Sequence, residues 1–210
     1  MQKAMRVGLA SAAGAAIGSA IVYYLRERAT PAPHYRTLLS DGGFEIREYG
    51  PVVVAETVVH GPRKQALRGG FRKLADYIFA KSRDGEALPM TVPVLQDGGD
   101  PMASDPPLFD DDLSDGAWRT RFVMPDGRSA DDLPDPPEDV ALVEIAPRRV
   151  GVASFSGTAS DAKLNLHEDQ LRGWLTRQGE SARAEPEYAF YNSPMIPPPL
   201  RKNEVLIPIG

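Results

Sequence analysis

The chain has 210 residues, 42% hydrophobic and 25% charged, enough apolar material for one large domain or two small ones without covalent staples. It contains no cysteine, which excludes disulfides, thiolate nucleophiles and cysteine-based zinc sites. A formal net charge of −5 argues against general nucleic-acid binding, which needs a basic footprint.

The chain opens with an uncharged run from Val7 to Leu25, flanked by Lys3 and Arg6 before it and by Arg26, Glu27 and Arg28 after it. As a helix it spans about 28 Å, just enough for a hydrocarbon core. Gly14 and Gly18 have the small-xxx-small spacing of packed membrane helices, and Tyr23 and Tyr24 fall where an interfacial belt belongs. Residues 1–28 are therefore expected to form a hydrophobic helix that tethers the protein to a membrane, of the bacterial inner-membrane type. Export after signal cleavage is the alternative, with small residues such as Ala10 and Ala12 at the cleavage site. A Pro-rich linker follows over residues 29–34.

Phe44 to Tyr49 alternates apolar and charged residues as a half-buried strand does, and Val52 to Val59 is a β-branched run ending at Gly61-Pro62. A helix is predicted from about Arg63 to Lys81, with Leu67, Phe71, Leu74, Ala75 and Ile78 on its apolar face and Lys64, Arg68, Arg72 and Lys73 opposite. Gly69-Gly70 inside it predicts a close packing contact. Two strands follow, Leu88 to Leu95 and Trp118 to Met124. Between and beyond them lie two acidic, Pro-rich stretches, from Asp97 to Asp115 and from Asp126 to Asp139, which read as solvated loops.

The second half replays this order. Strands are predicted at Val140 to Ile145 and Val150 to Phe155, and a helix from about Ala162 to Gln178, begun by an N-cap within Gly157–Asp161 and closed by Gly179. Strands at Tyr188 to Tyr191 and Asn203 to Ile209 complete it. Pro51 to Gly61 and Pro147 to Gly157 are equal intervals, and Leu67, Leu74 and Ile78 answer to Leu164, Leu171 and Leu175. The expected fold is α+β: two βαββ units related by a pseudo-twofold, their strands joined into a curved, nearly closed antiparallel sheet that leaves few edges.

Several segments together resemble the SOUL or haem-binding protein family. They are Phe44-Glu-Ile-Arg-Glu-Tyr-Gly-Pro51 with Val54 to Thr57, and Gly70-Phe71 with Leu74, Tyr77, Ile78 and Phe79. Pro89-Met-Thr-Val-Pro93, Phe122-Val-Met-Pro125, Tyr191-Asn-x-Pro194 and Arg201-Lys-Asn-Glu-Val205 extend the likeness, in order, over about Tyr35 to Ile209. The resemblance implies a distorted eight-stranded antiparallel barrel with two helices, related to effector-binding domains. It also implies non-covalent binding of haem or another porphyrin as a small-molecule partner, rather than catalysis. Where one member of the family carries a histidine proposed as axial ligand, this chain has Glu48, a poor ligand for ferric haem, so axial ligation is not carried over.

The residues singled out for such a ligand are Arg68 and Arg72, one helical turn apart and suited to two propionates. Met90, Met124 and Met195 are candidates for an adaptable apolar lining, and His167 with Trp174 for the face of the second helix. His167 is a weak candidate iron ligand, its bland alternative being a partly buried helix histidine. Glu56, Glu144 and Glu204 read as surface carboxylates on strands; an inward, unpaired one would instead point to an effector-type module for another amphipathic molecule or lipid. No hydrolase, P-loop or dinucleotide motif is present, and Asp110 to Gly116 fails as an EF-hand because Asp115 and Arg121 stand where glycine and glutamate are needed. The oligomeric state is not indicated.

Overall fold

A computed structural model of the protein describes residues 23–98 and 116–210. The chain divides into two units, Met1–Thr30 and Pro31–Gly210. In the first, residues 23–28 are helical and the Arg28 guanidinium lies 5.7 Å from the centre of the Tyr24 ring. The predicted hydrophobic helix lies almost wholly outside the described residues. Among the described residues, no helix is long and apolar enough to cross a membrane.

The second unit is α+β. Strands β1 (Tyr35–Asp41), β2 (Phe44–Tyr49) and β3 (Val52–His60) lead into helix α1 (Arg63–Ile78), followed by β4 (Val94–Asp97) and β5 (Ala117–Val123). The second half runs β6 (Ala141–Ile145), β7 (Arg148–Ser156), helix α2 (Asp161–Arg177), β8 (Glu187–Phe190) and β9 (Lys202–Ile209). All strands join one antiparallel sheet in the order β1-β2-β7-β9-β8-β4-β5-β3-β6. The repeat is visible in the pairings: β3 lies between β5 and β6, and β7 lies between β9 and β2. The strand preceding each of β3 and β7 therefore crosses to the other half, and the halves interlock. β4 and β8 meet at the junction, Gln96 opposite Tyr188.

The eight-stranded, nearly closed barrel expected from the sequence is corrected to an open, nine-stranded half-barrel with β1 and β6 at its edges. The additional strand is β1, whose seven residues are all exposed and lack the alternation that marks a half-buried strand. It forms because Gly42, at φ +61°, turns the chain back onto β2. Gly61 and Gly157, at φ +116° and +106°, end β3 and β7 at matching places, where a Cβ would be strained.

Both helices pack on one face of the sheet. α1 covers a core of Val53, Ala55, Phe122, Met124 and Val140, and α2 covers a second, with Ile46, Ala153, Val205 and Ile207. A third cluster, including Val54, Leu95, Val123, Val150, Val152 and Leu206, lies on the opposite, inner face. Ser160 caps α2 by accepting from the Lys163 N–H, and Gly179 ends it at φ +75°, both as expected.

One reading of the acidic stretches is corrected and the other refined. Asp97 is no loop residue: it ends β4, is 2% exposed and pairs with Arg119 and Arg121. Residues 126–139 are mostly exposed, as expected of a solvated loop, but are pinned at several points. Leu133 enters the α1 core, the Tyr77 hydroxyl donates to the Pro134 carbonyl at 2.7 Å, and Thr57 donates to the Asp139 carbonyl at 2.7 Å. Most of the first stretch, residues 99–115, lies outside the described residues.

Candidate functional site

On α1 the buried stripe is Ala66, Gly70, Leu74, Tyr77 and Ile78, rotated from the predicted Leu67-Phe71-Leu74 face. Gly70 is the cause. A Cβ there would stand 2.5 Å from Thr120 Oγ1 and 2.7 Å from Thr120 Cβ, so only glycine lets the helix lie this close to β5. The turn of the helix brings Phe71 to the surface, 41% exposed, with its ring edge-on to Phe122 at 5.2 Å between centroids. Arg68 and Arg72 are exposed at i−3 and i+1 from it, and neither has an ion-pair partner among the described residues. Lys73, by contrast, pairs with Asp139 at 3.1 Å.

The remaining predicted site residues do not gather here. Met90 and Met124 belong to the α1 core, Met124 being 4% exposed, so neither presents a lining. Met195 is 79% exposed, because Ile196 is the residue of that segment drawn into the fold. Trp174 is 1% exposed under α2, where it donates to Asp41 Oδ2 at 3.1 Å and stacks on Phe44. His167 stacks on Phe155 with centroids 4.2 Å apart. Burial and the nearby Lys163 lower its pKa below the ordinary imidazole value. The two helices thus serve separate cores, and His167 and Trp174 share no surface with Arg68 and Arg72. Glu48 is engaged by Arg36 at 2.7 Å.

The inner face of the sheet holds what sequence reasoning missed. Glu56 and Glu204, read as surface carboxylates, are 2% and 0% exposed, whereas Glu144 is exposed as expected. Arg121 donates to Glu56 at 3.0 Å and pairs with Asp97 at 2.9 Å, while Arg148 holds Glu187 through both terminal nitrogens. Arg47 holds both oxygens of Glu204 at 3.1 and 3.0 Å, and the Tyr191 hydroxyl donates to the same carboxylate at 2.6 Å. Burial works against ionising Glu187, but Arg148, Arg121 and Arg119 outweigh it and bring its pKa down to about 2. Burial, and then Glu204, push the Tyr191 phenol far above its ordinary value. Among the described residues, Glu56, Glu187 and Glu204 are all paired, so none of them is a free carboxylate for capturing a cation. The signal is in the sequence: Glu45-x-Arg47-x-Tyr49 and Arg119-x-Arg121 alternate, but alternating charge ordinarily marks a solvent face.

Beside this network lies a partly enclosed cavity of about 130 Å³. Tyr35, Tyr49 and Tyr191 contribute rings, Leu95, Val123 and Leu206 an apolar floor, and Arg148 and Lys202 the charges. Pro31 to Pro33, expected to be free linker, forms part of the wall: Ala32 and Pro33 line it, and the Pro31 carbonyl accepts from the Val92 N–H at 2.8 Å. Ligand pockets for drug-sized molecules run from about 300 to 1,000 Å³, so this one is too small for a tetrapyrrole.

Among solved structures, the C-terminal domain of EcmrR has the same fold, with a TM-score of 0.53 and 12% identity over 84% of this chain and 98% of that one. Among curated proteins, Heme-binding protein 2 of Homo sapiens is 30% identical over 73% of this chain and 72% of its own length, and that of Mus musculus is 28% identical over 72% and 69%. The SOUL heme-binding protein family profile matches residues 30–208. That span takes in both halves of the half-barrel together with the Pro31–Pro33 strap, and on this match the chain belongs to the SOUL haem-binding family.

Proposed function

We propose that the protein binds haem or a related tetrapyrrole non-covalently on the outer surface of α1, without catalysing a reaction. The observation that carries this reading is Phe71, raised to the surface between Arg68 and Arg72. A flat macrocycle can stack on an exposed ring, and side chains at i and i+4 lie about 5–6 Å apart at Cβ, close enough to meet two propionates. Haem fits this surface through its ring and carboxylates; no iron ligand is assigned on it. His34, at 96% side-chain exposure, faces Asp126, and His167 belongs to the other helix. Bound there, haem would supply its iron chemistry while the protein supplies only a docking face.

Titration of the full chain with haemin and with iron-free protoporphyrin tests this. Both should bind, with similar affinity, because the contacts are to ring and propionates. Arg68→Ala with Arg72→Ala should weaken both by about tenfold or more, and His167→Ala should leave them unchanged. No saturable Soret change and no fluorescence quenching at micromolar protein would sink the proposal.

Tethering to a membrane through residues 1–28 is part of the same proposal, supported by the uncharged run Val7–Leu25 and its basic flanks. Release of the protein from membranes by alkaline carbonate would count against it.

A further inference from the structure

We propose that the inner-face cavity is a second ligand site, distinct from the α1 surface, and that it takes a small aromatic carboxylate. Its size sets the ligand: about 130 Å³ is close to the roughly 150 Å³ of a cavity that admits benzene. One six-membered ring fills it. The floor of Leu95, Val123 and Leu206 suits the faces of such a ring, and Tyr35 and Tyr49, tilted at 46° with centroids 5.3 Å apart, offer an aromatic edge.

The charge of the ligand follows from which groups reach the wall. Arg148 and Lys202 line the cavity, whereas their carboxylate partners Glu187 and Glu204 do not. Lys202 spends one contact on Glu204 at 3.0 Å and its side chain is about half exposed, so the ammonium keeps donors for another acceptor. The Tyr35 hydroxyl has no partner among the described residues and adds a neutral donor. A cavity that shows cations and withholds its carboxylates favours an anion and disfavours a cation of equal size. The Ala32–Pro33 strap covers it, held by the Pro31–Val92 hydrogen bond, so the start of the domain is part of the site.

Calorimetric titration of the full chain with benzoate, with benzylamine as the cationic control, tests the assignment. Benzoate should saturate with a Kd on the order of 1 mM or tighter, benzylamine should bind at least tenfold more weakly, and Lys202→Gln should weaken benzoate several-fold. Val52→Phe fills the cavity and Ala32→Phe extends the strap into it. Each should abolish benzoate binding while leaving protoporphyrin quenching unchanged, and the second variant lies on an exposed segment where folding is least at risk. Absent saturation by benzoate, equal binding of benzylamine, or benzoate binding that survives both filling variants would overturn the proposal. Loss of protoporphyrin binding alone would touch only the α1 reading.

Discussion

Arg63, the first residue of α1, donates to Asp161, the first residue of α2, at 2.6 Å. The same guanidinium donates to Gln96 Oε1 at 3.1 Å and to the Ala159 carbonyl at 3.2 Å, and Gln96 returns an amide N–H to the Arg63 carbonyl at 3.1 Å. Gln96 sits where β4 meets β8, so one buried side chain ties both helix starts to the junction of the halves. A cation at its own helix N-terminus is mildly unfavourable, which places its value in these tertiary contacts.

Replacing Arg63 with Met keeps much of the volume but strands the polar groups of Gln96 and Ala159. It should cost about 2–4 kcal/mol in urea unfolding. Asp161→Asn, at a carboxylate 63% exposed, should cost under about 1 kcal/mol. Equal effects of the two changes would show that Arg63 acts only through the surface ion pair.

Tyr191 and Glu204 supply a second test, on the inner face of the sheet. The phenol donates at 2.6 Å to a carboxylate already held by Arg47, and all three residues come from motifs near the two ends of the chain. Tyr191→Phe should cost about 2 kcal/mol, the worth of a hydrogen bond to a charged group. Glu204→Gln should cost about 3–5 kcal/mol by leaving buried Arg47 with only the partly exposed Glu45 as counter-charge. In alkaline spectrophotometric titration Tyr191 should ionise among the late, buried tyrosines, with Tyr188 also pushed up to about 12, and Tyr191→Phe should shrink that late step by one tyrosine.

Glu187 makes the fold sensitive to acid. Its folded pKa is depressed to about 2 from an ordinary 4.5, so its stabilisation is full above about pH 4.5 and is lost as pH falls toward 2. The shift corresponds to about 3 kcal/mol. Glu204, also depressed through Arg47 despite its burial, adds to the same slope. Thermal midpoints should fall steeply between about pH 4.5 and pH 2, and Glu187→Gln, less stable at pH 7, should show a shallower fall. A midpoint flat across that range would contradict the assignment.

How legible these networks were in the sequence depends on what each residue answers to. β3, β7 and the two helices follow local rules, with β-branched runs, glycine stops and a serine cap, and those were readable. β1 was not, because Tyr35–Asp41 has no buried face of its own and is a strand only through its pairing with β2. Arg47, Glu56, Arg121 and Glu187 were misread or passed over because charge on a strand usually means solvent. Here opposite charges from distant strands neutralise one another, a relation that only the tertiary fold reveals. Within the motifs that carry the family resemblance, Arg47, Tyr191, Asn203 and Glu204 serve the scaffold. Asn203 donates to the Gly157 carbonyl at 3.0 Å, and Glu204 anchors Arg47 and Tyr191. The α1 surface was half legible: the arginines were named, but Phe71 was assigned to the core.

That misassignment turns on Gly70. Because its missing Cβ lets α1 lie against Thr120, adding one should either push the helix away or rotate it. The obstructing atoms are the β-carbon and hydroxyl of Thr120, set rigidly on β5, so accommodation must come from the backbone. Gly70→Ala should therefore destabilise by about 1–3 kcal/mol despite the better helix propensity of alanine. Thr120→Gly should cost less in the Gly70→Ala background than in the natural chain, a coupling that a double-mutant cycle reads directly. The same substitution should change how Phe71 is presented, so protoporphyrin affinity should fall even at temperatures where Gly70→Ala remains folded. Unchanged stability and unchanged porphyrin affinity would break the link drawn between the close approach at Gly70 and the exposure of Phe71.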